Sequence, residues 1–233
     1  MDSLTDESAG GSLDFVVVLS AERTGGTSVF QSLKPAVGEA PLLHVHFFDG
    51  DRYRGAADTE AKAAFREVKR QREAQAKAFL FDPERKGVVF TVLRDRLSRV
   101  VSSLWFAKRD VLMRRYDREL DAFWPRTLRP LQPHIDVILD KEASYGREVF
   151  EPLGLPAQPA PGRYRTRCGA RVFALDFARL EQDFAAATGE VFGRPVPLLH
   201  VNGGEMIGDA RGYAAFRRHC AQVLTPQRLG LVP

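Results

Sequence analysis

Residues 15–30 read FVVVLSAERTGGTSVF. An unbroken apolar run, Phe15–Leu19, drops into the polar segment Ser20–Ser28, and apolar residues then resume. A Val-rich run without alternation is what a strand covered on both faces of a parallel sheet requires. The Gly25-Gly26 pair then marks a tight turn into a helix that begins near Gly26–Ser28 and runs to about Leu33, where Lys34-Pro35 stops it. Strand, glycine turn and helix start together make an anion cradle, because the first N–H groups of the helix point out of the turn. Aligned on the nucleotide-triphosphate pattern G-x-x-x-x-G-K-[ST], the chain has Ser20 in place of the first Gly and Gly26 in place of the Lys. That lysine would reach the β- and γ-phosphates, so its loss argues against hydrolysis of a nucleoside triphosphate. Arg23 supplies a forked cation instead, and Thr27 and Ser28 supply hydroxyls. Taken alone, the loop also fits a plain strand–helix turn that needs glycine only for its geometry.

The same grammar continues outward. LLHVHF (Leu42–Phe47) is a second strand, closed by Asp49-Gly50, and residues 59–78 form an exposed basic helix. KGVVFTVL (Lys86–Leu93) is a third buried strand that ends directly at Arg94-Asp95. From Leu97 to about Phe123 apolar residues such as Val100, Val101, Leu104, Trp105, Val111 and Leu112 recur at three- and four-residue steps, as on a helix. Residues 151–162 are Pro-rich and predict a loop. A short strand follows at Arg171–Leu175, then a helix ending at Gly189, a loop PVPLLHVNGG, and a last helix from Tyr213 to Leu224. Strands separated by helices predict an α/β class: a three-layer α/β/α domain with a mainly parallel central sheet. Such folds hold ligands beyond the carboxyl ends of their strands. The Arg23 loop, His44 with His46, and Arg94 each follow a strand and are expected to converge there.

The second cluster, TVLRDRLSRVVSSLW, sets Ser102 eight residues after Arg94. With it, the chain resembles the sulfotransferases that use 3′-phosphoadenosine 5′-phosphosulfate (PAPS). That family carries an R/K-[ST]-G-[GST]-[ST] loop after its first strand and an R-D-P-x-x-R-x-x-S segment after a later one. The first motif matches at Arg23, Thr24, Gly25, Gly26, Thr27 and Ser28, and the second at Arg94, Asp95, Arg99 and Ser102, with Arg96 where Pro is usual. The resemblance implies a P-loop-like fold, with the loop gripping the 5′-phosphosulfate and Arg94 and Ser102 holding the 3′-phosphate. It implies no metal. The H-x-H of LLHVHFFD resembles the base-bearing segment of the uronosyl 2-O-sulfotransferase branch. On that likeness His46 is the catalytic base and His44 its neighbour or a substrate contact, unless one or both are satisfied core histidines. Arg23 would stabilise charge on the bridging oxygen as the bond to sulfur breaks. His200 and Asn202 are candidates for the cleft wall, although His-Val-Asn-Gly-Gly is as readily a turn. The family's C-terminal aromatic-acidic ending is absent, so the motifs cover about residues 15–105.

Bulk properties bound the partners. A chain of 233 residues with 44% hydrophobic and 27% charged side chains is expected to make one domain over residues 15–233, after a disordered leader at 1–14. No apolar run approaches the ~20 residues that span a bilayer, so no transmembrane segment is expected. The acidic, polar start is neither a secretion nor a transit signal, which makes a cytoplasmic location the expectation. The net charge of +4 favours anionic ligands without calling for nucleic acid. Cys168 and Cys220 match no metal spacing and are either two reduced thiols or one disulfide. Basic strips at Lys69, Arg70, Arg72 and Lys77, and at Lys108, Arg109, Arg114, Arg115 and Arg118, read first as solvated helix faces. The acceptor implied is a hydroxyl, on a saccharide by the family likeness or on a small molecule. Two competing readings remain at this level: a P-loop-like kinase, and a non-catalytic anion- or polysaccharide-binding protein.

Overall fold

A computed structural model describes residues 12–21, 24–48, 59–113, 126, 128–201 and 210–225. The strands are β1 (Phe15–Leu19), β2 (Leu42–Val45), β3 (Gly87–Leu93), β4 (Gly162–Arg165) and β5 (Arg171–Asp176). The helices are α1 (Gly26–Leu33), α2 (Glu60–Leu80), α3 (Arg96–Met113), α4 (Gln132–Tyr145), α5 (Leu180–Phe192) and α6 (Ala210–Val223). One sheet takes the order β2-β1-β3-β5-β4. All its pairings are parallel except the last, where β4 runs antiparallel along β5.

The unbroken apolar run of β1 is explained by burial on both sides. Phe15, Val17 and Leu19 pack on one face with Ala76 and Leu80 of α2 and with Tyr145 at the end of α4. Val16 and Val18 pack on the other with Val29 and Leu33 of α1 and Phe184 of α5. Each such side chain contributes about 1.5–3 kcal/mol of burial. Helices therefore cover both faces, and the α/β class with a three-layer arrangement is the observed architecture. A third apolar cluster lies among the helices: Val100, Leu104 and Trp105 of α3, Ile135 of α4, and Phe216 and Cys220 of α6.

Several boundaries differ from the sequence reading. Strand β2 stops at Val45, so His46 sits just past its end. Helix α5 runs through Gly189 to Phe192 and stops at Gly193, whose φ of 71° is the left-handed cap that glycine adopts without penalty. The helix expected to about Phe123 is described to Met113, and its backbone breaks helical geometry at Lys108. Of the leader expected at 1–14, residues 1–11 lie outside those described. Leu13 packs against the core, and Asp14 accepts from the Lys86 N–H at 2.7 Å. Cys168 and Cys220 are unbridged, and burial pushes the Cys220 thiol pKa up. Among the described residues no helix is long and apolar enough to cross a membrane.

Candidate functional site

The topology fixes where a ligand belongs. From β1 the chain crosses one face through α1 to reach β2, and from β2 it crosses the opposite face through α2 to reach β3 on the far side of β1. The crevice between the carboxyl ends of β1 and β3 is thus the switch point of the sheet. The loop 20–25 rises from β1 there, and Arg94 leaves β3 there.

The described residues of this loop, 20–21 and 24–25, are tied down by hydrogen bonds. Ser20 extends the ladder, its N–H donating to the Val45 carbonyl at 3.2 Å. Thr24 is buried, and its hydroxyl donates to the Ala21 carbonyl at 2.8 Å, tying the turn to itself. Gly25 has φ 88° and caps α1. At Gly26, a Cβ would fall 1.9 Å from Ser20 Oγ and 3.0 Å from His44 Nε2. No side chain fits here, so the lysine of a triphosphate loop is excluded by its neighbours. Ser28 turns the other way, its hydroxyl accepting from the Val201 N–H at 3.3 Å. Thr27 is half-buried at the helix start. Arg23 lies outside the described residues, as does Asn202.

Although His46 lies past the end of β2, the two histidine rings meet, with centroids 4.9 Å apart. Their surroundings differ. His44 Nε2 lies 3.0 Å from Ser20 Oγ, and its ring stacks on Phe30 at 5.4 Å. Burial, then the neighbouring His46, Lys69 and Arg72, pull its pKa down to about 3. His44 is therefore the satisfied, neutral histidine. His46 Nδ1 lies 2.6 Å from the Ser20 carbonyl oxygen. A carbonyl only accepts, so Nδ1 carries the proton and the lone pair of the neutral ring lies on Nε2. That is the tautomer a general base needs.

The far wall of the crevice is cationic. Asp95 does not pair with Arg94; it caps α3, its Oδ1 accepting from the Ser98 N–H at 2.8 Å. The Arg94 guanidinium lies over the Phe177 ring, 4.2 Å from its centroid. Arg94, Arg96 and Arg99 all line a cavity of about 200 Å³ that also reaches Ala21 of the β1 loop. Ser102 lies one turn beyond Arg99 on α3, half-buried and outside that lining. His200 is exposed and pairs with Glu181 at 2.6 Å, away from the cavity.

The β1 loop thus touches the histidine pair through Ser20 on one side and shares a cavity with Arg94 through Ala21 on the other. Sequence reasoning missed two members: Ser20, whose side chain and carbonyl hold the two histidines, and Tyr145, which lines the cavity from the end of α4. Of the basic strip on α2, Lys69 and Arg72 act on His44, whereas Arg70 pairs with Glu67 on the surface. The donors present suit a phosphate-bearing group: helix N–H groups opened by Gly25 on one side, and guanidinium forks on the other. Comparison with protein-family models, with curated proteins and with solved structures finds no match to this chain.

Proposed function

We propose that this chain is a sulfotransferase with a P-loop-like fold, which moves a sulfuryl group from PAPS to the hydroxyl of an acceptor, a saccharide or a small molecule. The observation that carries this reading is the arrangement of three parts around the β1 loop: the lysine-free loop itself, His46 with Nδ1 on the Ser20 carbonyl, and the strand-end Arg94, which shares a cavity with Ala21. PAPS, when bound, supplies the sulfuryl group, whose bond to the bridging phosphate oxygen breaks as the acceptor oxygen takes it, leaving 3′,5′-ADP. Within the chain, His46 Nε2 takes the acceptor's proton while the Ser20 carbonyl holds Nδ1–H and with it the ring's orientation. The N–H groups at the start of α1 carry developing charge on the 5′ side, a fixed array that needs no rearrangement. Arg94 and Ser102 hold the 3′-phosphate, and Arg23 stands by the bridging oxygen, both roles taken from the resemblance. His44 stays neutral and braces Ser20 and His46. Gly26, sealed by Ser20 and His44, speaks against the kinase alternative.

Thermal denaturation with 3′,5′-ADP against ATP is the first test. At a hundred times its Kd, a ligand of the native state adds about 2.7 kcal/mol, a rise of roughly 5–10 °C for a chain of this size. The expected result is that rise with 3′,5′-ADP and little with ATP; the reverse refutes the reading. Transfer of labelled sulfate from PAPS to a panel of hydroxyl acceptors then separates an enzyme from a binding protein. His46→Ala is expected to lower turnover by about 10²- to 10⁴-fold with 3′,5′-ADP binding intact. Near-normal turnover in that variant removes His46 from the role of base.

A further inference from the structure

The open edge of the sheet carries chemistry that the crevice does not use. Strand β4 closes the sheet on the β5 side and pairs with no strand beyond it among the described residues. Where the hairpin turns, the Thr166 N–H donates to the Ala170 carbonyl at 2.9 Å, so these two form a hydrogen-bonded pair. Antiparallel pairs alternate, which makes Tyr164–Val172 the next bonded pair. The backbone N–H and C=O groups of Arg163 and Arg165 therefore point away from β5. Among the described residues no hydrogen bond reaches those outward groups, and three of the four β4 residues are exposed.

The side chains beside this ladder are concentrated in charge. Arg165 stands directly opposite Arg171, and Arg163 opposite Phe173. All four share the sheet face on which Phe173 packs with Phe184 of α5, and there Arg163 pairs with Glu190 of α5. Arg165 and Arg171 form no ion pair among the described residues; one Arg165 N–H reaches the Gly169 carbonyl at 3.4 Å. The turn that carries them is fixed. Gly169, at φ 89°, donates its N–H to the Thr166 carbonyl at 3.0 Å, and the buried Thr166 hydroxyl accepts from the Ala170 N–H at 3.1 Å. Like charges directly opposed across two strands weaken the pairing. Charge on an edge strand deters edge-to-edge association, which accounts for Arg163 and Arg165. It does not account for Arg171, which belongs to β5, between β3 and β4. An opposed arginine pair beside an open ladder calls for carboxylates carried by a further strand.

We infer that β4 is a docking edge for an extended acidic peptide. The peptide adds as a further strand, pairs with the outward backbone of Arg163 and Arg165, and sets alternate Asp or Glu side chains against Arg165 and Arg171. A second copy of the chain is the wrong partner, because β4 against β4 would oppose arginine to arginine. Arg171 begins β5 and Asp176 ends it, so the pair lies about 16 Å from the crevice end of the strand. The proposal goes beyond the sulfotransferase reading and does not rest on it.

Titration of the isotope-labelled full chain with the blocked hexapeptide Thr-Asp-Thr-Asp-Thr-Asp tests it, with Thr-Thr-Thr-Asp-Asp-Asp as a control of equal charge. The alternating peptide is expected to slow hydrogen exchange at the Arg163 and Arg165 amides and to bind more tightly than the control. Arg171→Gln should weaken it about two- to fivefold, the range of an exposed ion pair, without lowering the melting temperature, since a like-charge contact is relieved. Lys77→Gln removes the same charge from α2 and should leave the Kd unchanged. Equal binding of the two peptides, or an equal loss in Lys77→Gln, reduces the edge to general charge attraction and overturns the proposal. Failure of the alternating peptide to bind overturns it, as does binding without protection at Arg163 and Arg165. A lower melting temperature in Arg171→Gln makes that arginine part of the fold and removes it as the receiver of a carboxylate.

Discussion

The two walls of the crevice are built on opposite principles. Among the described residues on the β1 side, side chains are spent on their neighbours: Ser20 on His44, Thr24 on Ala21, and Ser28 on the Val201 amide, while Gly26 leaves room for Ser20. What these residues leave for a ligand is backbone, with His46 beside them. On the β3 side the backbone is committed to starting α3, and the long side chains of Arg94, Arg96 and Arg99 line the cavity. A wall of fixed backbone donors holds its geometry when it meets charge, which suits the reacting end of a ligand. A wall of long cationic side chains adapts, which suits recognition. Substitutions on the first wall should therefore appear in stability, and those on the second in affinity.

The largest such effect is expected at Gly26. Gly26→Ala drives a methyl into Ser20 Oγ and breaks the Ser20–His44 contact. Overpacking together with the lost hydrogen bond should cost about 2–4 kcal/mol, read by urea denaturation. Adding Ser20→Gly removes both atoms closest to the new methyl, so the double variant should be less destabilised than the sum of the singles, with a coupling of about 0.5–3 kcal/mol. Strict additivity would mean that the loop relaxes, and the contrast between a rigid wall and an adaptable one would fall.

Next comes the acid response of His44. In the folded chain its pKa is pulled from an ordinary 6.5 to about 3, so between those values the unfolded chain binds the proton and the folded chain does not. Stability is then fully present above pH 6.5 and is lost as pH falls toward 3. By about pH 5 the loss should be roughly 2 kcal/mol, with a limiting slope of about 1.4 kcal/mol per pH unit. His44→Gln has no such proton to take up, so its stability should fall less steeply over the same range. Equal slopes in the two proteins would show that His44 titrates freely and that the loop does not seal it.

How much of this was legible follows the same physics. β1, β2 and β3 could be read because strands buried on both faces are apolar throughout, a signal that survives without alignment. His44 and His46 could be brought together by their alternate spacing, although His46 lies past the end of β2. β4 could not be read: GRYR lies on the sheet edge with three of its four residues exposed, so nothing apolar marks it. Tyr145 was missed because α4, QPHIDVILDKEASY, has a weak apolar face, and its last residue reaches the site only through tertiary packing. The glycine at position 26 was legible as a lost lysine, but its cause was not. That cause is Ser20, six residues earlier, and His44, eighteen residues later.

One residue touches both walls and gives the finest test of their separation. Phe177, just past the end of β5, lies under the Arg94 guanidinium, and its ring edge is 3.3 Å from where a Gly25 Cβ would stand. It is 36% exposed, so its packing contribution is modest, while its position is shared. Phe177→Leu keeps an apolar contact with the loop and removes the ring face from Arg94, a loss of about 0.5–1 kcal/mol. If Arg94 recognises the ligand from a position set by that ring, 3′,5′-ADP should bind about two- to fivefold more weakly, with the melting temperature nearly unchanged. In an Arg94→Gln background the same substitution should then do nothing further, because the cation it orients is gone. An unchanged Kd in Phe177→Leu, or an equal loss in both backgrounds, would mean that Phe177 serves only the loop, and that Arg94 is positioned by α3 alone.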